Sequence, residues 1–432
     1  MKSLFTVVFL YGCMQITYAQ SLYFPPLVGN TWETTDPADL GWCQEKIDTL
    51  YQFLESKNSK AFIVLKDGKI VLEKYFGTFT QDSVWYWASA GKSLTSVLVG
   101  IAQEDGDLNI TNPSSDYMGT GWTSLTAPQE AAITVRNQLT MTTGLDDGVP
   151  DKDCTIPSCL VYKADAGTRW AYHNGPYTLL DSVIHAATGS TLNNYVNQKV
   201  KSKTGMTGLY MRTGYNNVFV SKARSMARFG LLMLNKGKWD NQTVLGDTSY
   251  FNQMTNSSQA FNPAYGYLWW LNGKSFSKIP GGQINVPGFL EPHAPADMFS
   301  ALGKNGQIVN VVPSQNLVMI RMGNAPSNEF FISNLFNDEI WVRFNDLGCT
   351  SAIDESEYTK VNVFPNPVSD VLYIGNDAAV IYDKIYVYDT QGRELIRSNN
   401  VSNISTLSLK NGLYFLKALK GNQMMATSFV KE

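Results

Sequence analysis

Histidine is scarce in this chain: His173, His185 and His293 are the only three in 432 residues. They are too few and too scattered to supply a zinc ligand set, and no cofactor motif takes their place. Charge is thin as well. Lysine and arginine number 34 against 37 acidic residues, a net charge of -3, and no long basic run occurs. Nucleic-acid binding therefore has no electrostatic footing. Beyond the N-terminus no apolar run is long enough to cross a membrane. Internal repeats and low-complexity tracts are also missing. What is present is a 44% apolar, 16% charged composition that supports a large globular core. The length argues for more than one folding unit. Aromatics are plentiful, with 22 Tyr and 10 Trp; that excess suits a lined pocket or a surface that meets extracellular material.

The first residues, MKSLFTVVFLYGCMQITYAQS, set one lysine ahead of an apolar stretch and small residues at Thr17 and Ala19. This is the pattern of a signal peptide cut after Ala19. LYGC, ending at Cys13, is a loose lipoprotein box, outweighed by the apolar residues that continue past it. Removal of residues 1–19 leaves four cysteines, an even number in an exported chain, which argues for two disulfides and allows three pairings. Cys154 and Cys159 flank a short local loop. Cys43 lies in the first expected helix of the main domain and Cys349 just after its last. The expected pairs are therefore Cys43–Cys349 and Cys154–Cys159.

Periodicity outlines the rest. Leu40, Cys43, Ile47, Leu50, Tyr51 and Leu54 have helical spacing. Two β-rich runs then surround Asp67-Gly68, a hairpin signal. A helix follows from Ser89, with Leu94, Val97, Leu98 and Ile101 on its inner side, and another runs from Ser221 to Gly237. Strand patterns return from Tyr265, and a helix over residues 328–344 closes the region. The expected fold class is α+β: strands from both ends of residues 20–348 share an antiparallel sheet flanked by helices, with a helical insert beside it. Residues 349–360 read as a polar linker, and residues 361–432 as a small all-β sandwich.

Chemistry enters at WYWASAGKSLTS, residues 85–96. A serine hydroxyl is a weak nucleophile and needs a base within reach. Ser89 and Lys92 lie three apart at a helix start, on one face, where free N–H groups also favour an anion. Burial or a neighbouring cation would supply the lysine as a neutral amine. Alone, such a pair is usually a cap and a surface residue. Two further triplets change its weight: Tyr172-His173-Asn174 ahead of a helical pattern, and Lys304-Asn305-Gly306 entering a strand.

The three motifs, in this order, resemble those of the serine β-lactamase and penicillin-binding-protein superfamily, nearest its class-C-type branch of esterases, D-peptidases and 6-aminohexanoate-dimer hydrolases. LTMTTGLDD, ARFGLLMLNKGKW and YGYLWWL add to the resemblance, which spans Asp39 to Phe344. It implies that Ser89 is acylated with Lys92 as its partner, that Tyr172 is a general base or proton shuttle, and that Asn174 orients the substrate. Lys304 would polarise the site or meet a substrate carboxylate. Gly306 would leave room for a strand-like substrate, and the N–H groups of Ser89 and Gln307 would form the oxyanion hole. Set between two ammonium groups, Tyr172 would be favoured as a phenolate. Asn305 departs from the usual Thr or Ser, which weighs against a specific lactamase. Asp146 and Asp147 read as loop residues beside the cleft, and Trp85, Tyr86 and Trp87 as packing under the Ser89 helix.

VFPNPVSDVLYI, VYDTQGRELI and LKNGLYFLKA resemble the C-terminal type A sorting domain of the type IX secretion system, which implies that this machinery is a partner and that the protein is secreted or held at the cell surface. The expected function is a secreted serine hydrolase that cleaves an ester or amide of a small molecule or short peptide through an acyl-enzyme on Ser89. The alternatives are a non-hydrolytic penicillin-binding-like sensor or binding module, and a D-amino-acid peptidase or β-lactamase. Neither cofactor nor metal is called for.

Overall fold

The computed structural model of the chain describes residues 22–326, 333–349, 359–375, 380–421 and 423–432. The expected signal peptide, Cys13 and most of the expected linker lie outside these residues. The chain divides into two compact units, Met1–Cys349 and Thr350–Glu432.

The first unit is built on a six-stranded antiparallel sheet. Its strands are β1 (Ser59–Lys66), β2 (Lys69–Tyr75), β3 (Trp270–Leu271), β4 (Phe299–Gly303), β5 (Gln307–Val312) and β6 (Leu317–Gly323), in the order β2-β1-β6-β5-β4-β3. Strands from the two ends of the unit meet where β1 pairs with β6, Ile63 opposite Ile320. Asp67 and Gly68, both at positive φ, make the tight turn that a two-residue hairpin needs. The strands are almost wholly buried, as expected when both faces of a sheet are covered.

Helix α1 (Gln44–Ser56) buries Ile47, Leu50 and Leu54, one stripe of its surface. It begins one residue after Cys43; the residues before it, Pro37–Leu40, form a separate 3-10 turn that Gly41 ends. Helix α2 (Gly91–Glu104) is buried nearly all round. Helix α3 (Ala223–Leu234) packs Gly230 against Val309 and Val318. Arg321 has the opposite parity on β6 and stacks on Phe336 of helix α4 (Asn334–Asn345), 5.0 Å from its ring centre. Because side chains alternate across a strand, α3 and α4 cover opposite faces of the sheet. Disulfides join Cys43 to Cys349 and Cys154 to Cys159, the pairing expected from the sequence.

The second unit is all β. A five-stranded and a three-stranded sheet enclose a core that includes Val368, Leu372, Ile374, Ile385, Val387, Leu416 and Phe429. Its strands alternate buried and exposed residues, as in Gly412–Lys420, where Tyr414, Leu416 and Ala418 point inward.

Candidate active site

Ser89 does not cap a helix. It sits in the middle of a 3-10 turn, Ala88–Ala90, that runs directly into α2. Ala88 has φ of +46°, a left-handed conformation that is rare and strained for a residue with a side chain. The Ser89 N–H finds no backbone acceptor among the described residues. The turn is pinned from below by Trp87. That indole is fully buried, donates to Ser221 Oγ at 2.8 Å and packs edge-on against Phe219. Trp85 donates to the Gly323 carbonyl and lies under Lys60. Trp87 is packing beneath the Ser89 turn, as the sequence implied, whereas Trp85 and Tyr86 are half-buried.

Lys92 lies in the first turn of α2 and is buried, whereas Ser89 is only partly so. Its Nζ donates to Ser89 Oγ at 3.1 Å. The other neighbours of the ammonium are aromatic faces, 4.2 Å to the Tyr177 ring centre and 5.2 Å to that of Tyr172. Burial pulls its pKa down from 10.5 to about 7, against a smaller upward pull from Asp153. Near neutral pH this amine is divided between its charged and neutral forms.

Tyr172 and His173 precede a short helix, Asn174–Thr178, of which Asn174 is the first residue and His173 the extended N-cap. The Tyr172 ring stacks on Trp270, 17° from parallel at 5.9 Å, and meets the Tyr265 ring edge-on. Burial raises the phenol well above its usual pKa, and a hydrogen bond with Ser89 offsets this only in part. The expectation of a phenolate between two ammonium groups is thus reversed: Tyr172 is a neutral phenol at ordinary pH. Asn174 Nδ2 donates to Asp153 Oδ1 at 2.6 Å, and Asn174 Oδ1 is buried without a partner. The next residue, Gly175, donates its N–H to the Lys152 carbonyl, and a Cβ there would lie 2.4 Å from the Cys154 carbonyl. The loop closed by Cys154–Cys159 is therefore pressed onto the Tyr172–Asn174 segment. His173 is buried, neither ring nitrogen has a partner, and burial lowers it to about 4, so it is neutral.

The third triplet behaves differently. Lys304, Asn305 and Gly306 form the turn between β4 and β5, with Asn305 and Gly306 at positive φ. Lys304 is exposed and has no hydrogen bond or ion pair among the described residues. Asn305 donates to the Tyr86 hydroxyl at 2.7 Å. Gly306 backs onto Arg321 and Phe336, on the α4 side of the sheet. Gln307 starts a strand flanked by two others, and its side-chain amide bonds the Gly323 main chain at both ends. The segment that reaches the Ser89 turn is one residue earlier. A Cβ on Gly303 would lie 2.4 Å from the Trp87 carbonyl and 3.0 Å from the Ala90 nitrogen. Strand β3 pairs only with Phe299 and Ser300, so the outer edge of β4 is open from Ala301 to Gly303.

Residues 53–338 match the Beta-lactamase family model. The chain belongs to the beta-lactamase family. Residues 362–432 match the secretion system C-terminal sorting domain, so this family member carries a tail that directs export. A curated relative, an uncharacterized protein of Alkalihalophilus pseudofirmus, is 23% identical over 312 residues, which are 63% of this chain and 86% of the relative. A 6-aminohexanoate-dimer hydrolase homologue from Bacillus anthracis shares the fold, with a TM-score of 0.56 and 17% identity over 76% of this chain and 88% of its own. A penicillin-binding protein homologue from Caulobacter crescentus does so with a TM-score of 0.53 and 14% identity, over 70% and 96% of the two chains.

Within this beta-lactamase family unit the structure gathers Ser89, Lys92 and Tyr172, ties Asn174 to Asp153, and leaves Lys304 outside these contacts. Sequence reading missed Asp153, Tyr177, Trp270, Tyr265, Gly303 and Ala88. Tyr177 had a faint signal, since it stands one helical turn after Asn174. Asp153 had none beyond its place next to Cys154. Asp147 is tied to Arg169 at 2.6 Å, and Asp146 to Lys163 and the Gly148 N–H. A cavity of about 760 Å³ on the helical side, lined by Trp122, Asp181, His185, Tyr210 and Arg212 among others, does not include Ser89.

Proposed function

We propose that this protein is an exported serine hydrolase that opens an ester or amide bond through a covalent acyl-enzyme on Ser89. The observation that carries the reading is the 3.1 Å contact between Lys92 Nζ and Ser89 Oγ, in surroundings that bring the amine to about 7. A base works best when its pKa lies near the working pH. Neutral Lys92 takes the Ser89 proton as Oγ attacks the carbonyl carbon. The carbonyl electrons move onto oxygen, which faces the Ser89 N–H and a main-chain N–H of the open β4 edge near Gly303 rather than that of Gln307. When the bond to the leaving group breaks, the Tyr172 phenol gives it a proton and regains one from the Lys92 ammonium. Water then attacks the acyl carbon, with Lys92 and Tyr172 acting in the same roles. The Trp270 stack holds the phenol in place through these steps.

A fluorophosphonate probe tests the reading. Wild type should label and Ser89→Ala should not, with both proteins folded by circular dichroism. An unlabelled wild type would leave a binding module. Ester hydrolysis that persists in Ser89→Ala would place the nucleophile elsewhere. p-Nitrophenyl esters, nitrocefin and D-Ala-D-Ala peptides then separate esterase, lactamase and peptidase activity.

A further inference from the structure

A carboxylate stands near Lys92 and Tyr172, and among the described residues the cation that touches the Tyr172 ring is Lys92. Asp153 accepts from Asn174 Nδ2 through Oδ1. Its second oxygen, Oδ2, has no hydrogen-bond partner among the described residues and is not sealed from solvent. Among the described residues no lysine or arginine forms an ion pair with it. Asp153 is also the carboxylate whose charge acts on both Lys92 and Tyr172. Next to it the Asn174 carbonyl, Oδ1, is a buried acceptor that lacks a donor. Two acceptors thus lie together where the residue before Cys154 meets the segment that carries Tyr172. The one lysine in position by sequence to receive a carboxylate, Lys304, is exposed on the β4–β5 turn and contacts none of these groups.

Acceptors without donors call for a donor from the ligand, and a carboxylate favours one that is charged. A substrate carboxylate at this position would face Asp153 directly, a like-charge contact in a partly dry site. We propose that Asp153, with the Asn174 carbonyl, forms a subsite for a cationic amine, and that the substrate carries an ammonium group close to its scissile ester or amide bond. This rests on the Ser89 reading above and names its substrate class. Asp153 binds substrate in this scheme and takes no part in bond making.

Two measurements on the full chain test it. The first is the rate of fluorophosphonate labelling in the presence of hexylamine, hexanol or hexanoate. The amine should protect wild type at about tenfold lower concentration than the other two, the size of one charge-assisted hydrogen bond. The second is hydrolysis of alanine p-nitrophenyl esters, in both hands, with the amine free or acetylated. The free amine should be favoured about ten- to hundredfold in kcat/KM. Asp153→Asn retains an oxygen for Asn174 Nδ2 but removes the charge, and should bring both ratios to about one. A residue that merely orients Asn174 would leave the ratios unchanged in that variant. Equal protection by all three compounds in wild type, or ratios that survive in Asp153→Asn, overturns the subsite. If wild type takes no fluorophosphonate at all, the Ser89 reading has failed first; labelling without amine preference removes only the subsite.

Discussion

Lys92 and Arg321 are both buried cations, one behind the Ser89 turn and one behind the Lys304–Gly306 turn, and their surroundings could hardly differ more. Arg321 donates five hydrogen bonds, to Ser59 Oγ and to the carbonyls of Lys57, Asn305, Gly306 and Asn324. Its planar fork is filled, and it ties β6, the start of β1 and the β4–β5 turn into one rigid corner. Lys92 has three donors and, among the described residues, one hydrogen-bond partner, Ser89, with aromatic faces for the rest. A buried charge with all its partners holds structure together. One left short of partners releases its proton easily, and that is a chemical property.

The sharpest way to break this contrast is to replace each cation by methionine. Lys92→Met should cut ester hydrolysis by about a thousandfold or more while the fold persists. Arg321→Met should strand its carbonyl partners and cost about 3–5 kcal/mol of stability, visible as a lower denaturation midpoint, with Ser89 still labelled in the folded fraction. If Lys92→Met unfolds the protein and Arg321→Met does not, the assignment of roles is inverted. Next in size is Gly303→Ala. Its methyl would meet the Trp87 carbonyl at 2.4 Å, so the Ser89 turn must move; about a ten- to thousandfold fall in kcat is expected, with circular dichroism unchanged.

The pH dependence sharpens the same comparison. With Lys92 near 7, kcat/KM for a neutral ester should rise through an acid limb centred close to 7, as the amine loses its proton. Stability follows the same group with a defined sign. The unfolded chain holds the Lys92 proton up to the ordinary value of 10.5, and the native state releases it near 7. Between these values the unfolded state binds more protons, so unfolding free energy rises with pH across that window. Below 7 the burial penalty is fully present. Lys92→Met should flatten that slope, as read from urea midpoints at pH 6 and pH 9. The smallest expected effect is that of Cys154→Ser. Opening a loop with a sequence separation of 5 costs about 2 kcal/mol in the chain-entropy account. Because Asp153 and the Asn174 contact lie on that loop, kcat/KM should fall a few-fold.

Some of this was readable along the chain and some was not. The Ser89–Lys92 pair was legible because helical geometry fixes which residues three apart share a face. Tyr172 and Asn174 were legible as a pair because the triplet that holds them stands directly ahead of a helical pattern and resembles a family motif. The Asp67-Gly68 hairpin and the two disulfides were legible from turn chemistry and from the positions of four cysteines. Lys304 was ambiguous for a physical reason. A lysine, any residue and a glycine ahead of a strand describe equally well a strand edge and the exposed turn found here. Gly303 carried no signal, since its importance is an atom it lacks at one point of contact with Trp87 and Ala90. The protonation of Tyr172 went the other way from expectation because burial outweighed the one cation near it, and burial is a sum over the whole neighbourhood.

The sequence by itself determined the α+β plan of the first unit, the all-β sorting tail, the even count of four cysteines after residue 19 and the serine with its lysine, because each depends on spacing within a segment or on composition. Only the tertiary structure decided which strand touches the Ser89 turn, that the Asp153 charge acts on Lys92 and Tyr172 while Lys304 is exposed, and that burial lowers the Lys92 amine and raises the Tyr172 phenol. Those outcomes depend on desolvation and on contacts between residues far apart in the chain, and neither is written in any local pattern.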